Sequence, residues 1–320
     1  MRVYIIRRLL QMIPTLLVIS FLIFGLLYLT PGDPVYLMLG AGESQSISPE
    51  TYEMVRQDLG LDRPFFVRYL DFVKGAVTGD LGESYVTKQD VFSEIMARMP
   101  ATLQLTLAAM VISVLVSVPL GLLAAIKRGS IWDSIATFLA TIGVSLPKFW
   151  FALVLIIVFS LNLGWLPSKG IGYIEDGVGS MISHLALPAI SLGLGLAATQ
   201  TRMIRSSMLD VLGQDYVRFA RSKGLREKVV IFGHAMKNAL IPVITVFGSE
   251  VGALLGGAVV TETIFAWPGV GRLIVNSIGK RDYPMIQGAT LVLCTLFLLI
   301  NLLVDIAYAG LNPKIRLDKK

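Results

Sequence analysis

Six apolar stretches of membrane-crossing character constrain this chain more than any other feature: Leu9 to Leu29, Leu103 to Ile126, Phe149 to Leu163, Leu185 to Ala198, Ile241 to Val260 and Met285 to Ala307. Crossing about 30 Å of hydrocarbon at about 1.5 Å per residue takes about 20 mainly apolar residues. The chain is 54% hydrophobic and 16% charged, with a mean hydropathy of +0.71. One soluble core cannot hide that much apolar surface. The predicted fold class is therefore an all-α integral membrane protein with six transmembrane helices.

Two spans have awkward limits. The fourth reaches full length only with Ser183 and His184 before it and Thr199 to Met203 after it. The third is preceded by apolar character from Ile131 onward, so Trp132 to Ser145 is read as an interfacial or tilted lead-in broken at Leu146-Pro147. The first run follows Arg2, Arg7 and Arg8 as a signal peptide would. It is too long for a signal core and is followed by Pro31-Gly32-Asp33-Pro34 rather than a small-residue cleavage site, so an uncleaved helix is expected. The lone Cys294 falls in the last span and allows no intrachain disulfide.

Six spans place both termini and the stretches 127 to 130 and 202 to 240 on one side, which carries 17 of the 28 Lys and Arg residues. Basic residues stay in the cytoplasm, so this side is predicted to face inward. The opposite segment, Thr30 to Met99, has 6 basic and 11 acidic residues and is predicted to form an extracytoplasmic helical domain. The overall charge of +6 thus divides by membrane side and is no nucleic-acid footprint. The organisation expected is residues 1–29 as tail and first helix, 30–99 as the extracytoplasmic domain, and 100–320 as a five-helix core with a loop at 202–240 and a cytoplasmic tail. Within the extracytoplasmic part, Ser48-Pro49 is expected to start a helix that Gly60 ends. Pro64 is expected to start another, with Phe65, Phe66, Tyr69, Leu70 and Val73 sharing a face.

The inner loop is the most informative segment. Asp215-Tyr216-Val217-Arg218-Phe219-Ala220-Arg221-Ser222-Lys223-Gly224-Leu225 reads as a helix of about two turns, with Asp215 as N-cap and Gly224 as the left-handed residue beyond its end. Tyr216, Phe219, Ala220 and Lys223 fall on one face opposite Arg218 and Arg221. A second amphipathic run, Lys228 to Leu240, leads to Ile241-Pro242. Such a loop is either a solvated connection or a docking element that transmits a rigid-body push from a soluble partner.

These residues, with His234-Ala235-Met236-Lys237-Asn238-Ala239-Leu240-Ile241-Pro242, resemble the "EAA" loop of ATP-binding-cassette importer permeases in the dipeptide and oligopeptide permease B form. Arg218 stands where that motif has glutamate and Ala220 at its third position, departures similar to the peptide branch. The likeness extends to Pro31-Gly32-Asp33-Pro34, Leu59 to Pro64, Gly79-Asp80-Leu81-Gly82, Arg98 to Leu103, and Glu262-Thr263-Ile264-Phe265-Ala266-Trp267-Pro268-Gly269-Val270-Gly271. The resemblance implies a six-helix importer permease fold in which Asp215, Tyr216, Arg218, Phe219, Ala220, Arg221, Lys223, Gly224 and Leu225 couple to an ATPase. It implies a second homologous permease, two cytoplasmic ATPase subunits that bind ATP and Mg, an extracytoplasmic substrate-binding protein, and a place in the cytoplasmic membrane. Peptides are the implied cargo, with nickel, glutathione or oligosaccharides as alternatives. A stand-alone secondary transporter would instead call for acidic relays and inverted repeats.

No G-x-x-x-x-G-K-[ST], HExxH or G-x-S-x-G string occurs, so ATP hydrolysis is expected on other chains and no catalytic residue is predicted. No metal site is expected either, and His184 and His234 read as structural. Glu250, with Ser249 beside it, lies deep in the fifth span, where a carboxylate marks either the translocation pathway or a satisfied contact. Gly248, Gly252 and Gly256 form a small-residue stripe suited to helix packing, within the subunit or against a partner. Lys148 and Asp305 read as snorkelling or capping residues, and Trp165 and Trp267 as interfacial anchors.

Overall fold

The computed structural model describes residues 2–29, 35–36 and 48–311, without the side chains of residues 2–4, 174, 245, 249, 253 and 307–311. The Pro31-Gly32-Asp33-Pro34 segment and the tail after Leu311 lie outside the described residues. Described residues form helices α1 Arg2–Leu29, α2 Pro49–Asp58, α3 Phe65–Thr78, α4 Val91–Ile126, α5 Ile131–Ser145 and α6 Lys148–Leu155, which continues as a π-helix over Ile156–Asn162. Then follow α7 Val178–Leu212, α8 Asp215–Ser222, α9 Glu227–Val229, a π-helical Val230–Ala235, α10 Met236–Ile264, α11 Val270–Gly279 and α12 Tyr283–Leu311. No strand occurs among them.

Five helical stretches are long and apolar enough to cross a membrane, and α5 with α6 supplies a sixth only when the two are taken together, since they meet at 106°. Proline chemistry explains the break. Pro147 disfavours the helical region for the residue before it, and Leu146 sits at φ −74°, ψ 132°. Pro147 then opens α6 from an extended conformation of its own. The break lies where the sequence places it, but the arms are equal in weight: α5 has 15 residues rather than being a lead-in to a full third span. The fourth span is longer than expected, because α7 runs unbroken through Pro188 and carries Arg202 to Leu212 as helix. The expected 202–240 loop is thus largely helical.

The chain divides into two compact units, one of residues 102–268 and 299–320, the other of 2–101 and 269–298. In the first unit α7 is the central element, packed by α10, α5 and α6. Close approach is achieved through glycine: a Cβ on Gly193 would stand 2.6 Å from the Ala109 carbonyl oxygen. A buried cluster at one end of α7 joins Leu122, Met208, Val217, Val230, Ile231 and Ala239. A bidentate ion pair fixes α5 to α7, with Arg205 Nε to Asp133 Oδ1 at 2.6 Å and Nη2 to Oδ2 at 2.9 Å. The C-terminal end of α10 closes with Trp267 N donating to Glu262 O at 2.8 Å and Ala266 in the left-handed region at φ 51°. Trp267 is therefore fully buried, not an interfacial anchor as expected, because this turn folds its ring inward; Trp165 does remain exposed.

In the second unit Ser48 caps α2 by accepting from Thr51 N at 3.2 Å, and Gly60 follows in the left-handed region, both as the sequence indicates. The face of α3 differs from expectation. Phe65, Tyr69 and Phe72 pack on Phe21, Phe24 and Tyr28 of α1, while Phe66 and Leu70 stay exposed. The buried stripe is set by the aromatic row on α1, and the Tyr69 hydroxyl reaches its backbone, donating to Leu17 O at 3.1 Å. The loop after α3 is tied down by Asp282, which accepts from Ser84 Oγ and from Tyr85 N at 3.0 Å. Burial, reinforced by Asp282 and Tyr283 and opposed by Arg68, pushes the neighbouring Tyr85 phenol up from its ordinary value, so it serves as a neutral hydroxyl. Replacing Asp282 by Ala leaves two donors without their acceptor, at about 1–3 kcal/mol for the buried one and less for the partly buried Tyr85 N–H. The expected outcome is faster limited proteolysis of the 79–90 segment.

Candidate functional site

Two places in the first unit bring the singled-out residues together. The first is α8. Its N-cap position is taken by Gln214, and Asp215 is the first helical residue, so the expected capping role of Asp215 is corrected. Asp215 instead lies 3.7 Å from Arg218, an exposed pair of little energetic weight. The far end agrees with the sequence: Lys223 is the C-cap, and Gly224 follows at φ 77°, a conformation that favours glycine.

The buried face of α8 lies about one residue around the helical wheel from the aromatic face. Val217 and Ala220 face inward, at 0% and 7% exposure, whereas Tyr216 and Phe219 stay 41% and 61% exposed. The reason is size. The gap between Leu122, Met208, Val230 and Ile231 accepts a β-branched or methyl side chain, and the two rings are left outside. Lys223 extends its ammonium over the Phe219 ring, 4.6 Å from the centroid. Asn238 Nδ2 donates to the Tyr216 hydroxyl at 2.8 Å, which ties α8 to α10. Arg221 is held by Glu227 in a bidentate pair at 2.7 and 3.1 Å, a partner the sequence reading missed. The surface that remains carries Tyr216, Arg218, Phe219, Lys223 and Leu225, with Asp215, Arg221, Ser222 and Gly224 also exposed: aromatic, mainly cationic and backed by a buried core.

The second place lies midway along α10, where Glu250 has fourteen helical residues on either side. Gln200 Nε2 donates to Glu250 Oε2 at 3.4 Å, and Gln200 Oε1 in turn accepts from Ser113 at 2.7 Å and Ser117 at 3.1 Å. This polar chain crosses three helices and leaves Glu250 half-buried. The Ser249 side chain lies outside the described residues. The glycine stripe divides: a Cβ on Gly248 would collide with Val304 of α12, Gly252 is buried, and Gly256 is exposed with open space around it.

Lys148, which reads from the sequence as a snorkelling or capping residue, has an exposed side chain. At the start of α6 its stem crosses toward α7 and α10, so that a Cβ on Gly195 would stand 3.8 Å from its Cε and one on Gly257 3.7 Å from its Nζ. The available signal was its place: the Leu146-Pro147-Lys148 break is the one cationic interruption between Ile131 and Leu163. His184 is a structural residue, its Nδ1 donating to Ser180 O at 2.8 Å.

Comparison with known proteins agrees with this architecture. Residues 117–317 match the family described as binding-protein-dependent transport system inner membrane component, and residues 1–106 match the N-terminal family of such membrane components. The chain is 44% identical to the di/tripeptide transport system permease protein DppB of Pseudomonas aeruginosa over 333 residues, covering 98% of both proteins. It is 42% identical to the dipeptide transport system permease protein DppB of Escherichia coli K12, covering 99% of both. The glutathione transport system permease protein GsiC of the same organism is also 42% identical, with 98% of both covered. Among solved structures, the inward-facing methionine ABC transporter MetNI aligns with a TM-score of 0.56 at 18% identity, over 68% of this chain and 96% of that one. An amino acid ABC transporter with histidines gives 0.51 at 15% identity, over 69% and 94%. Matched over both its N-terminal region and its helical core, the chain belongs to the binding-protein-dependent transport system inner membrane component family and is a multi-pass inner-membrane permease subunit.

Proposed function

We propose that this chain is the B-type permease of an importer that moves di- or oligopeptides into the cell, driven by ATPase subunits that bind ATP and Mg and dock on α8. The observation that carries the reading is the construction of α8: a short helix with a buried Val217 and Ala220, fastened at both ends, presenting an aromatic and cationic surface. A rigid knob of this kind moves as one body with whatever grips it and passes that motion to α7 and α10. In this reading a second, homologous permease completes the passage, two ATPases lie in the cytoplasm, and a binding protein delivers cargo outside. The basic residues near α8 and at both termini support a cytoplasmic position for that side. The names of the full-length relatives favour peptide cargo, and the similar identity to the glutathione permease keeps that γ-linked tripeptide as the alternative.

The test is co-purification of the tagged chain from native membranes, with partners identified by mass and uptake measured in proteoliposomes. The expected result is recovery of a P-loop ATPase and a second permease, with labelled dipeptide uptake that stops without ATP. A chain that purifies alone and transports without ATP would be a secondary transporter, and the reading would fall.

A further inference from the structure

The position of Lys148 points to how the passage recognises its cargo. Lys148 lines a cavity of about 290 Å³ whose walls include Leu139, Ile142, Phe151 and Leu194, together with Ser191. Lys148 makes no ion pair among the described residues, and its ammonium reaches α10 at Gly257, seven residues and so about two turns beyond Glu250 on the same face of that helix. Glu250 engages Gln200 through one oxygen and is only half-buried, so a second donor can reach it. A cation that lines an apolar cavity and an anion at the middle of α10 are thus held apart. Ionisable groups at this depth are retained where they contact what crosses.

We propose that Lys148 and Glu250 bind a short peptide by its two charged ends as it passes through this subunit. The Lys148 ammonium takes the C-terminal carboxylate, and Glu250 takes the N-terminal ammonium. The apolar walls accept side chains without selecting among them. Selectivity then rests on features every free peptide shares, and on the absence of a blocked terminus. This inference rests on the peptide-importer reading above.

The experiment uses the whole complex in proteoliposomes, with the binding protein saturated in turn by free dialanine, its N-acetyl form and its C-terminal amide. In the wild type, free dialanine should be taken up at least tenfold faster than either blocked form. Glu250→Gln should slow the free peptide about tenfold and abolish discrimination against the N-acetyl form, while the amide stays disfavoured. Lys148→Met should do the reverse, and Lys148→Arg should retain the wild-type pattern. If Glu250→Gln fails to assemble, Lys148→Met decides the matter, because Lys148 is exposed and its loss leaves the fold intact. Unchanged ratios in a variant that transports would overturn this inference and leave the importer reading standing. A wild-type complex that hydrolyses ATP with loaded binding protein yet moves none of the three peptides would overturn the cargo reading, and the inference with it.

Discussion

Replacing Phe219 by Asp is expected to separate the permease from its ATPase while leaving the permease folded. Phe219 is 61% exposed, so the substitution should change the stability of the isolated chain by no more than about 0.5 kcal/mol. The same change removes the largest exposed ring from the α8 surface and the platform beneath Lys223. Aromatic residues at the centre of an interface are worth about 2 kcal/mol or more, which corresponds to roughly 30-fold weaker association. Two residues away, Val217→Asp should do the opposite kind of damage. Val217 is fully buried in the cluster with Met208 and Val230, and a buried unpaired carboxylate should unfold this end of the core. Pull-down of ATPase subunits, set beside thermal unfolding in detergent, distinguishes the two. Full ATPase association by Phe219→Asp would refute α8 as the docking surface.

The second large effect is expected at Asp133. Its carboxylate accepts two bonds from Arg205, one from Gly129 N at 3.0 Å and one from Thr137 Oγ1 at 3.3 Å, with 8% of the side chain exposed against 30% for Arg205. Asp133→Ala strands the guanidinium and frees the turn before α5, so a loss of about 3 kcal/mol is expected. Breaking one partner of such a pair is more damaging than removing both. The double variant Asp133→Leu, Arg205→Leu should therefore recover most of the loss in detergent melting. A single variant as stable as the wild type would show that the pair fastens nothing.

Much of this architecture is legible in the sequence, because some residue choices express the local environment directly. An apolar run of about 20 residues belongs in lipid whatever packs beside it. Leu146-Pro147 breaks a helix through its own backbone sterics, and Gly224 ends one because few other residues tolerate φ 77°. Ser48 before Pro49 caps α2 for equally local reasons. Glu250 stands out because a lone carboxylate among apolar neighbours is costly by itself.

The rest depended on which helices lie side by side. Asp133 and Arg205 are 72 residues apart, and nothing in either neighbourhood ties them together. On α8 the amphipathic pattern announced an aromatic face but not which side is hidden, and the shape of the gap left by α4, α7 and the π-helical segment turned Val217 inward and Phe219 outward. Trp267 was buried by the turn that ends α10, and Lys148 was aimed between two glycines by a 106° bend. The sequence by itself determined the solvent each segment requires and where each helix stops, since both follow from a residue's own transfer free energy and backbone freedom. Only the tertiary structure decided which polar groups meet and which face of a helix is hidden, because those depend on volumes and partners supplied by residues far along the chain.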